Sequence, residues 1–477
     1  MEETNTNNCS LGELPEDIQR WTVPRLLDVF LVFLLVFGVF LTSSVDTAIL
    51  VELVLAVLSL TYARALMGVV PQLLFGILVL ALIYAALVYL DNGLVDSSYP
   101  LKFARALVAF AAILWFVKRT VRQRRLQGEQ SWVYFSDLIL LILTLHGLVI
   151  VAEFLYHPFR DFIYMHWSLY PGDRLPPWRA IGLTKGGAMM SYMQVIGFFI
   201  AMDKIARRKT TYGPLLLMVM GVVCLGVVVL MAQTGVLFFA LSVVPFCLTF
   251  SIREGTRLLR YFAPAILLLG VVTVFVVEVN LDPVTRENIE MAWQQQTDLV
   301  ANFFREGVLR NYSFDEIRYN MYFFPNSAGV LLFGNSLGLR EGNESSPLDH
   351  LRVDSDVGYV TNIWGIGLVG TAISVTFYLV LLFYGLNLWR RGVCRGGPIV
   401  LIVTTGFFLA GHAKEVHLFA RSGFEILLML FWSLYVSRSP AGPSLVGSSG
   451  ETATAGIEEG GQPREALDGL PARSELA

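Results

Sequence analysis

The residues best suited to chemistry sit in three polar stretches set between long apolar ones. The run Gly411-His-Ala-Lys-Glu-Val-His-Leu-Phe-Ala-Arg421 places Lys414, His417 and Arg421 at i, i+3 and i+7. On a helix these three would share one face, where like charges repel unless an anion or an acidic partner lies among them. A phosphate would satisfy such a face; read structurally, Glu415 or Glu425 completes a salt-bridge network instead. His412 and His417 are five apart, off the i, i+4 spacing of helical zinc ligands, so metal binding is not expected.

The second stretch, 155–186, carries Arg160, Arg174, Arg179 and Lys185. Arginine presents a fork of donors that matches phosphate oxygens, so an anion site is one reading. Solvated loop charge, paired in part with Asp161 and Asp173, is the other. The third stretch, 280–358, is acidic overall, and an anion site there would need positioned residues rather than a bulk field. Ser313-Phe-Asp-Glu316 fits a capping box and predicts a short helix from about Phe314 to Phe324. Arg318 and Tyr322, four apart, would project together from it, one to hold a phosphate and the other to stack on a sugar. An ordinary charge on an amphipathic helix is the plainer reading of Arg318. Upstream, Ile289, Trp293, Val300, Phe303 and Phe304 punctuate 284–309 and predict an amphipathic helix, started by Asp282-Pro283, resting on the membrane or the bundle.

The elements that must position these residues are membrane helices. Of 477 residues 55% are hydrophobic and 15% charged, against roughly 25% charged in soluble proteins. A net charge of -3 excludes a globally basic nucleic-acid binder. A spanning helix needs about 20 apolar residues, and twelve such stretches occur, at about 26–45, 47–63, 68–90, 101–117, 134–154, 187–203, 212–231, 235–252, 261–279, 359–388, 398–412 and 422–437. The fold expected is an all-α polytopic membrane protein with a bundle over 26–437 and a helical exterior subdomain at 280–358. Of the charges inside the apolar stretches, Asp28, Arg105, Asp137, Glu153 and Glu278 lie mostly near helix ends and would snorkel. Glu52 has no such escape.

Orientation follows from the placement of Lys and Arg, which are retained in cytoplasmic segments. Lys118 to Arg125, Lys204 to Lys209, Arg253 to Arg260 and Arg390 to Arg395 all fall inside if the N-terminus is inside. The acidic segment 1–25 then forms a cytoplasmic tail ahead of an uncleaved anchor, and 438–477, rich in Gly, Ser, Pro, Ala and Glu, a disordered cytoplasmic tail. Cys9 and Cys394 fall inside and Cys224 and Cys247 within helices, so no exterior disulfide is expected.

Three phrases carry a family resemblance. Leu331-Leu-Phe-Gly-Asn-Ser-Leu-Gly338, Asp354-Ser-Asp-Val-Gly-Tyr359 and Trp364-Gly-Ile-Gly-Leu-Val-Gly370, followed by Lys414-Glu415 and Arg421, resemble the Wzy-type polymerases of O-antigen and exopolysaccharide. The resemblance implies a metal-independent, GT-C-like glycosyltransferase without cofactor in the bacterial inner membrane. Its donor and acceptor would be undecaprenyl-pyrophosphate-linked oligosaccharides, met at the periplasmic face, with 155–186 and 280–358 as periplasmic loops. A flippase and a chain-length co-polymerase are the protein partners it implies, beside membrane lipids and with no nucleic acid.

On that reading Arg318, Arg421, Lys414, Arg179, Arg174 and Arg160 would neutralise the departing pyrophosphate, and Arg421→Ala would leave the fold intact. Asp356 would take the acceptor proton, with Glu415 and His417 behind it, and Tyr322, Tyr359 and Tyr319 would meet the glycan. Asp356 would otherwise cap the following helix. Gly358 and Gly365 would permit close backbone approach. Where relatives carry a Ser-Arg-like pair, Ala232-Gln-Thr-Gly235 has no Arg, and Arg160 or Arg179 would stand in. The O-antigen ligases share the topology but carry a His eleven residues before the glycine that matches Gly367, where this chain has Asp356. That favours a polymerase over a ligase. A multi-pass transporter of a lipid-linked or anionic substrate would show internal repeats and midplane charges instead.

Overall fold

In the computed structural model the described part of each of the twelve apolar stretches falls largely on a helix. The structure describes residues 23–39, 46–61, 68–93, 96–168, 179–184, 187–207, 212–279, 283–307, 315, 317–337, 355–393 and 396–438. In chain order the helices are α1 (Val23–Val36), α2 (Thr47–Ser59), α3 (Val69–Asp91), α4 (Ser98–Arg124), α5 (Glu129–Leu155), the short α6 (His157–Ile163), α7 (Gly187–Arg207), α8 (Pro214–Met231), α9 (Gln233–Cys247), α10 (Ile252–Val279), α11 (Pro283–Glu306), α12 (Ala328–Phe333), α13 (Gly358–Arg390), α14 (Gly397–Gly411) and α15 (Gly423–Arg438). Among the described residues no strand forms. The tails at 1–22 and 439–477, with Arg174, Lys185, Asp354, Cys9 and Cys394, lie outside them.

Local chemistry sets several boundaries. Asp46 caps α2 by accepting the Ile49 N–H at 2.9 Å. Pro214 and Pro398 occupy first-turn positions of α8 and α14, where a missing N–H costs nothing. Arg125, at φ 54°, closes α4 in the left-handed conformation.

Five helices, α3, α4, α5, α8 and α13, are long and apolar enough to cross a bilayer. On α3, Leu80, Ile83, Leu87 and Leu90 follow one another at helical spacing and are each more than half exposed. A stripe of this kind is stable only against lipid, and the chain is an all-α membrane protein. The α5, α7 and α15 helices are buried almost all round and form the centre of the bundle.

The basic segments meet at one end of that bundle. Asp28 of α1 takes Arg124 at 2.9 Å, Arg119 at 3.6 Å and the Tyr134 hydroxyl at 2.6 Å. Lys204 pairs with Asp137 at 2.7 Å, and Arg207 bridges Asp203 at 2.6 Å and Glu254 at 3.4 Å. These carboxylates are paired within the bundle rather than snorkelling, because a neighbouring helix supplies the counter-charge more closely than an interface could.

Between 280 and 358, α11 matches the predicted amphipathic helix, with Trp293 and Phe304 exposed. Of the helix expected from Phe314 to Phe324, the described residues show Asp315 helical and a π-turn over Ile317–Met321, after which the chain is irregular from Tyr322. Tyr322 therefore falls outside the turn that holds Arg318, and the two do not share a regular helical face. The 33 residues of α13 would be about 50 Å long if straight. A break at Gly367 (φ 67°, ψ -178°) divides it into a short N-terminal piece and a membrane-length C-terminal one.

Candidate functional site

The break in α13 is built by glycine meeting glycine. A helix interrupted at Gly367 leaves earlier carbonyls without their usual donors, and the chain after α12 supplies them: Asn335 N donates to Trp364 O at 2.8 Å and Ser336 N to Gly365 O at 2.9 Å. A Cβ on Gly334 would strike the Gly365 carbonyl, and one on Gly367 the Leu332 carbonyl. Two of the phrases that carried the family resemblance are thus one backbone-to-backbone contact. Gly365 also lies against the Tyr99 ring and Gly358 against the His412 ring, so both glycines expected to permit close approach do so.

The N-terminal piece of α13 faces the connector 412–422, which is not helical. Phe419 (φ 57°) and Ser422 (φ 68°) are left-handed, which no continuous helix allows. Lys414, His417 and Arg421 accordingly do not line one face. His412 organises the turn: its Nδ1 accepts the His417 N–H at 3.0 Å and the Leu418 N–H at 3.3 Å. Its Nε2 lies 2.9 Å from Asn362 Nδ2, and the Tyr99 hydroxyl donates to Thr361 O at 2.7 Å and to Asn362 Oδ1 at 3.4 Å.

His417 is buried, with Nε2 3.3 Å from the Tyr192 hydroxyl. Burial holds both imidazoles neutral: His412 titrates well below its ordinary value, and His417 is pushed down to about 3 with help from Lys414 and Lys102. His417 is thereby a hydrogen-bonded wall residue and not a cation.

Lys414 and Glu415 are half-buried on the connector, where Arg179 and Asp356 both act on their charges. Burial raises the Glu415 carboxyl against the opposing pull of Lys414 and Arg179, which suits a general base. Burial likewise lowers the Lys414 ammonium. Asp356 is exposed and does not cap α13: Val357 is the N-cap, and Ser355 Oγ takes the Val357 N–H at 3.2 Å.

Arg179 reaches this cluster because its segment is clamped from beneath. Glu153, buried in α5, accepts the N–H groups of Ile181 at 3.2 Å and Gly182 at 2.8 Å, and Ala180 N donates to Leu230 O at 3.0 Å. Gly182, at φ 63°, lies against the His146 ring and has no room for a Cβ. Arg160 is 7% exposed, stands 5.1 Å over the Tyr164 ring and acts on the Glu153 charge, so it belongs to the clamp rather than to the open site.

The segment between 280 and 358 closes another side. Ile317 packs with Val357 and Val360, Ser355 Oγ donates to Met321 O at 2.8 Å, Trp364 Nε1 donates to Phe323 O at 3.2 Å, and the Tyr322 hydroxyl donates to Ala413 O. The backbone of Arg318 is fixed beside the start of α13 by these contacts; its side chain is not among the described ones. Tyr359 donates its hydroxyl to Leu409 O at 2.8 Å and packs edge-on against His412, while Tyr319 is 71% exposed.

Arg421 points away from Lys414, its Nη1 2.7 Å from Asp46 and its Nη2 2.6 Å from Gly38 O. Lys102, in the second turn of α4, is a cation that its sequence context did not single out: it is half-buried, lies 5.9 Å from the Tyr99 ring and acts on both His412 and His417. It forms no ion pair among the described residues. As a lone Lys at the edge of an apolar stretch it carries no spacing signal. The sequence matches no protein-family model and no curated protein, so the geometry bears the argument for function.

Proposed function

We propose that the chain polymerises a lipid-linked glycan at the outer face of a bacterial inner membrane, as a Wzy-type, GT-C-like transferase with twelve spans and both termini inside. The observation that supports this reading best is that Arg179, Lys414, Glu415 and Asp356 act on one another's charges beside the N-terminal end of α13. Cations and carboxyls held together at a bilayer boundary suit a reaction in which an anionic lipid headgroup leaves and a hydroxyl loses its proton.

In the step proposed, an acceptor hydroxyl attacks the anomeric carbon of the donor glycan. The anomeric C–O bond to undecaprenyl pyrophosphate breaks, and its electron pair leaves with the pyrophosphate. Asp356 or Glu415 takes the hydroxyl proton, and Arg179 and Lys414, with Arg318 and Lys102 at the edges, stabilise the departing charge. A charge-assisted hydrogen bond contributes about 1.5–3 kcal/mol, so each such cation is worth about one to two powers of ten in rate. Arg421 enters this scheme as a positioning residue. Purified protein incubated with lipid-pyrophosphate-linked repeats and EDTA should build a ladder of products. Single transfer to lipid A core would identify a ligase, and no transfer at all would leave a carrier.

A further inference from the structure

Beneath the connector lies a second cluster of charges that the proposed chemistry does not use. Arg105 of α4 approaches three carboxyls: Nη1 is 3.8 Å from Asp46, Nε is 3.6 Å from Glu52 and Nη2 is 3.6 Å from Glu425. Arg421 adds the 2.7 Å contact to Asp46. The Glu52 side chain is fully buried, and those of Asp46 and Glu425 are 2% exposed.

Nε and Nη2 form one edge of a guanidinium, the fork that ordinarily chelates a single carboxylate. Here two carboxyl groups divide that edge, and they stand within hydrogen-bonding reach of each other. Glu52 Oε1 and Oε2, Glu425 Oε2 and Arg105 Nε and Nη2 have no hydrogen-bond partner among the described residues. Among the described residues, two guanidiniums balance two carboxylates and leave the third without a counter-charge. An unpaired charge in a dry site costs several kcal/mol, and two carboxylates sharing one site do not both ionise.

We infer that Glu52 and Glu425 together bind one proton, one side chain as the carboxylic acid donating to the carboxylate of the other. The proton exchanges with water past Arg105, whose side chain is 25% exposed, and only an O–H bond is made or broken. The other titratable groups facing the pair are Asp46, Arg421 and the Tyr378 hydroxyl, which accepts the Phe419 N–H at 2.6 Å. With the proton bound the cluster is neutral and Asp46 keeps Arg421, which anchors the connector carrying Lys414 and Glu415. Without it the surplus carboxylate competes with Asp46 for both arginines, and the anchor loosens. The pair is thus a proton site coupled to the connector, and it does not rest on the reaction proposed above.

Infrared difference spectroscopy of the full chain in lipid vesicles, wild type minus Glu52→Gln and wild type minus Glu425→Gln, tests this at neutral pH. Each difference should show the loss of one protonated-carboxyl C=O band that shifts in D2O, because removing either partner lets the other ionise against Arg105. Persistence of that band in both variants overturns the inference. As a check that needs no variant, the wild-type band should disappear on alkaline titration together with a fall in the thermal midpoint. A midpoint raised by sodium relative to choline, with no acid band in the wild type, would overturn it in favour of a metal-cation site.

Discussion

Arg421 Nη1 lies 2.7 Å from Asp46 Oδ2, and this contact turns a residue read as a pyrophosphate ligand into the tie between the connector and the start of α2. Asp46 itself caps α2 and is shared with Arg105, so the tie draws together α2, α4 and the turn before α15.

Arg421→Ala should therefore lower stability first and activity as a consequence. Breaking one partner of a buried pair costs about 3–5 kcal/mol, seen as a reduced thermal midpoint in detergent. An unchanged midpoint would return Arg421 to the role of ligand.

Arg179→Ala should do the reverse. Its guanidinium forms no ion pair among the described residues, and its segment is held through backbone N–H groups bonded to Glu153. The midpoint should stay within about 0.5 kcal/mol of wild type, while transfer slows by about one to two powers of ten.

Lys102→Met separates binding from folding in the same way. Removing a half-buried cation that lacks a carboxylate partner should leave stability equal or higher and weaken retention of a lipid pyrophosphate by about tenfold. Titration with labelled undecaprenyl pyrophosphate at two salt concentrations measures it; unaltered affinity would place Lys102 outside the site.

Gly367→Ala should disrupt the break in α13. The residue is left-handed and its Cβ would meet the Leu332 carbonyl, so backbone must move, at a cost of at least about 2 kcal/mol. Gly76→Ala, in α3 with nothing within 4 Å, is the control and should be neutral or gain up to about 1 kcal/mol.

The histidines set an acid limb. His412 and His417 take up protons in the unfolded chain near their ordinary 6.5 but in the fold only well below it, at about 3 for His417. Their contribution to stability is complete above the unfolded value and drains as pH falls from 6.5 toward the folded values. Glu415, raised by burial, runs the other way and loses stability as pH climbs above 4.5. Thermal midpoints across this range should fall on acidification below 6.5, and His417→Gln should flatten the limb.

The positions of the membrane helices were legible in the sequence because bilayer thickness acts on a local run of residues, and apolar length alone answers to it. The grouping of basic segments at one end follows from an equally simple alternating pattern. The glycines at 334, 365 and 367 were visible as phrases, but that one phrase closes the hydrogen bonds the other breaks was not. Nor could spacing tell that Lys414 and Arg421, seven apart, point to different partners, since left-handed Phe419 and Ser422 set the path between them. Lys102 and Arg179 enter the candidate site from α4 and from a segment clamped by Glu153. Sequence by itself determined the solvent and the helices, which are one-dimensional properties. Tertiary structure decided which charges are neutralised by neighbours and which stay open to a ligand, because an ion pair depends on distances between helices that no local pattern records.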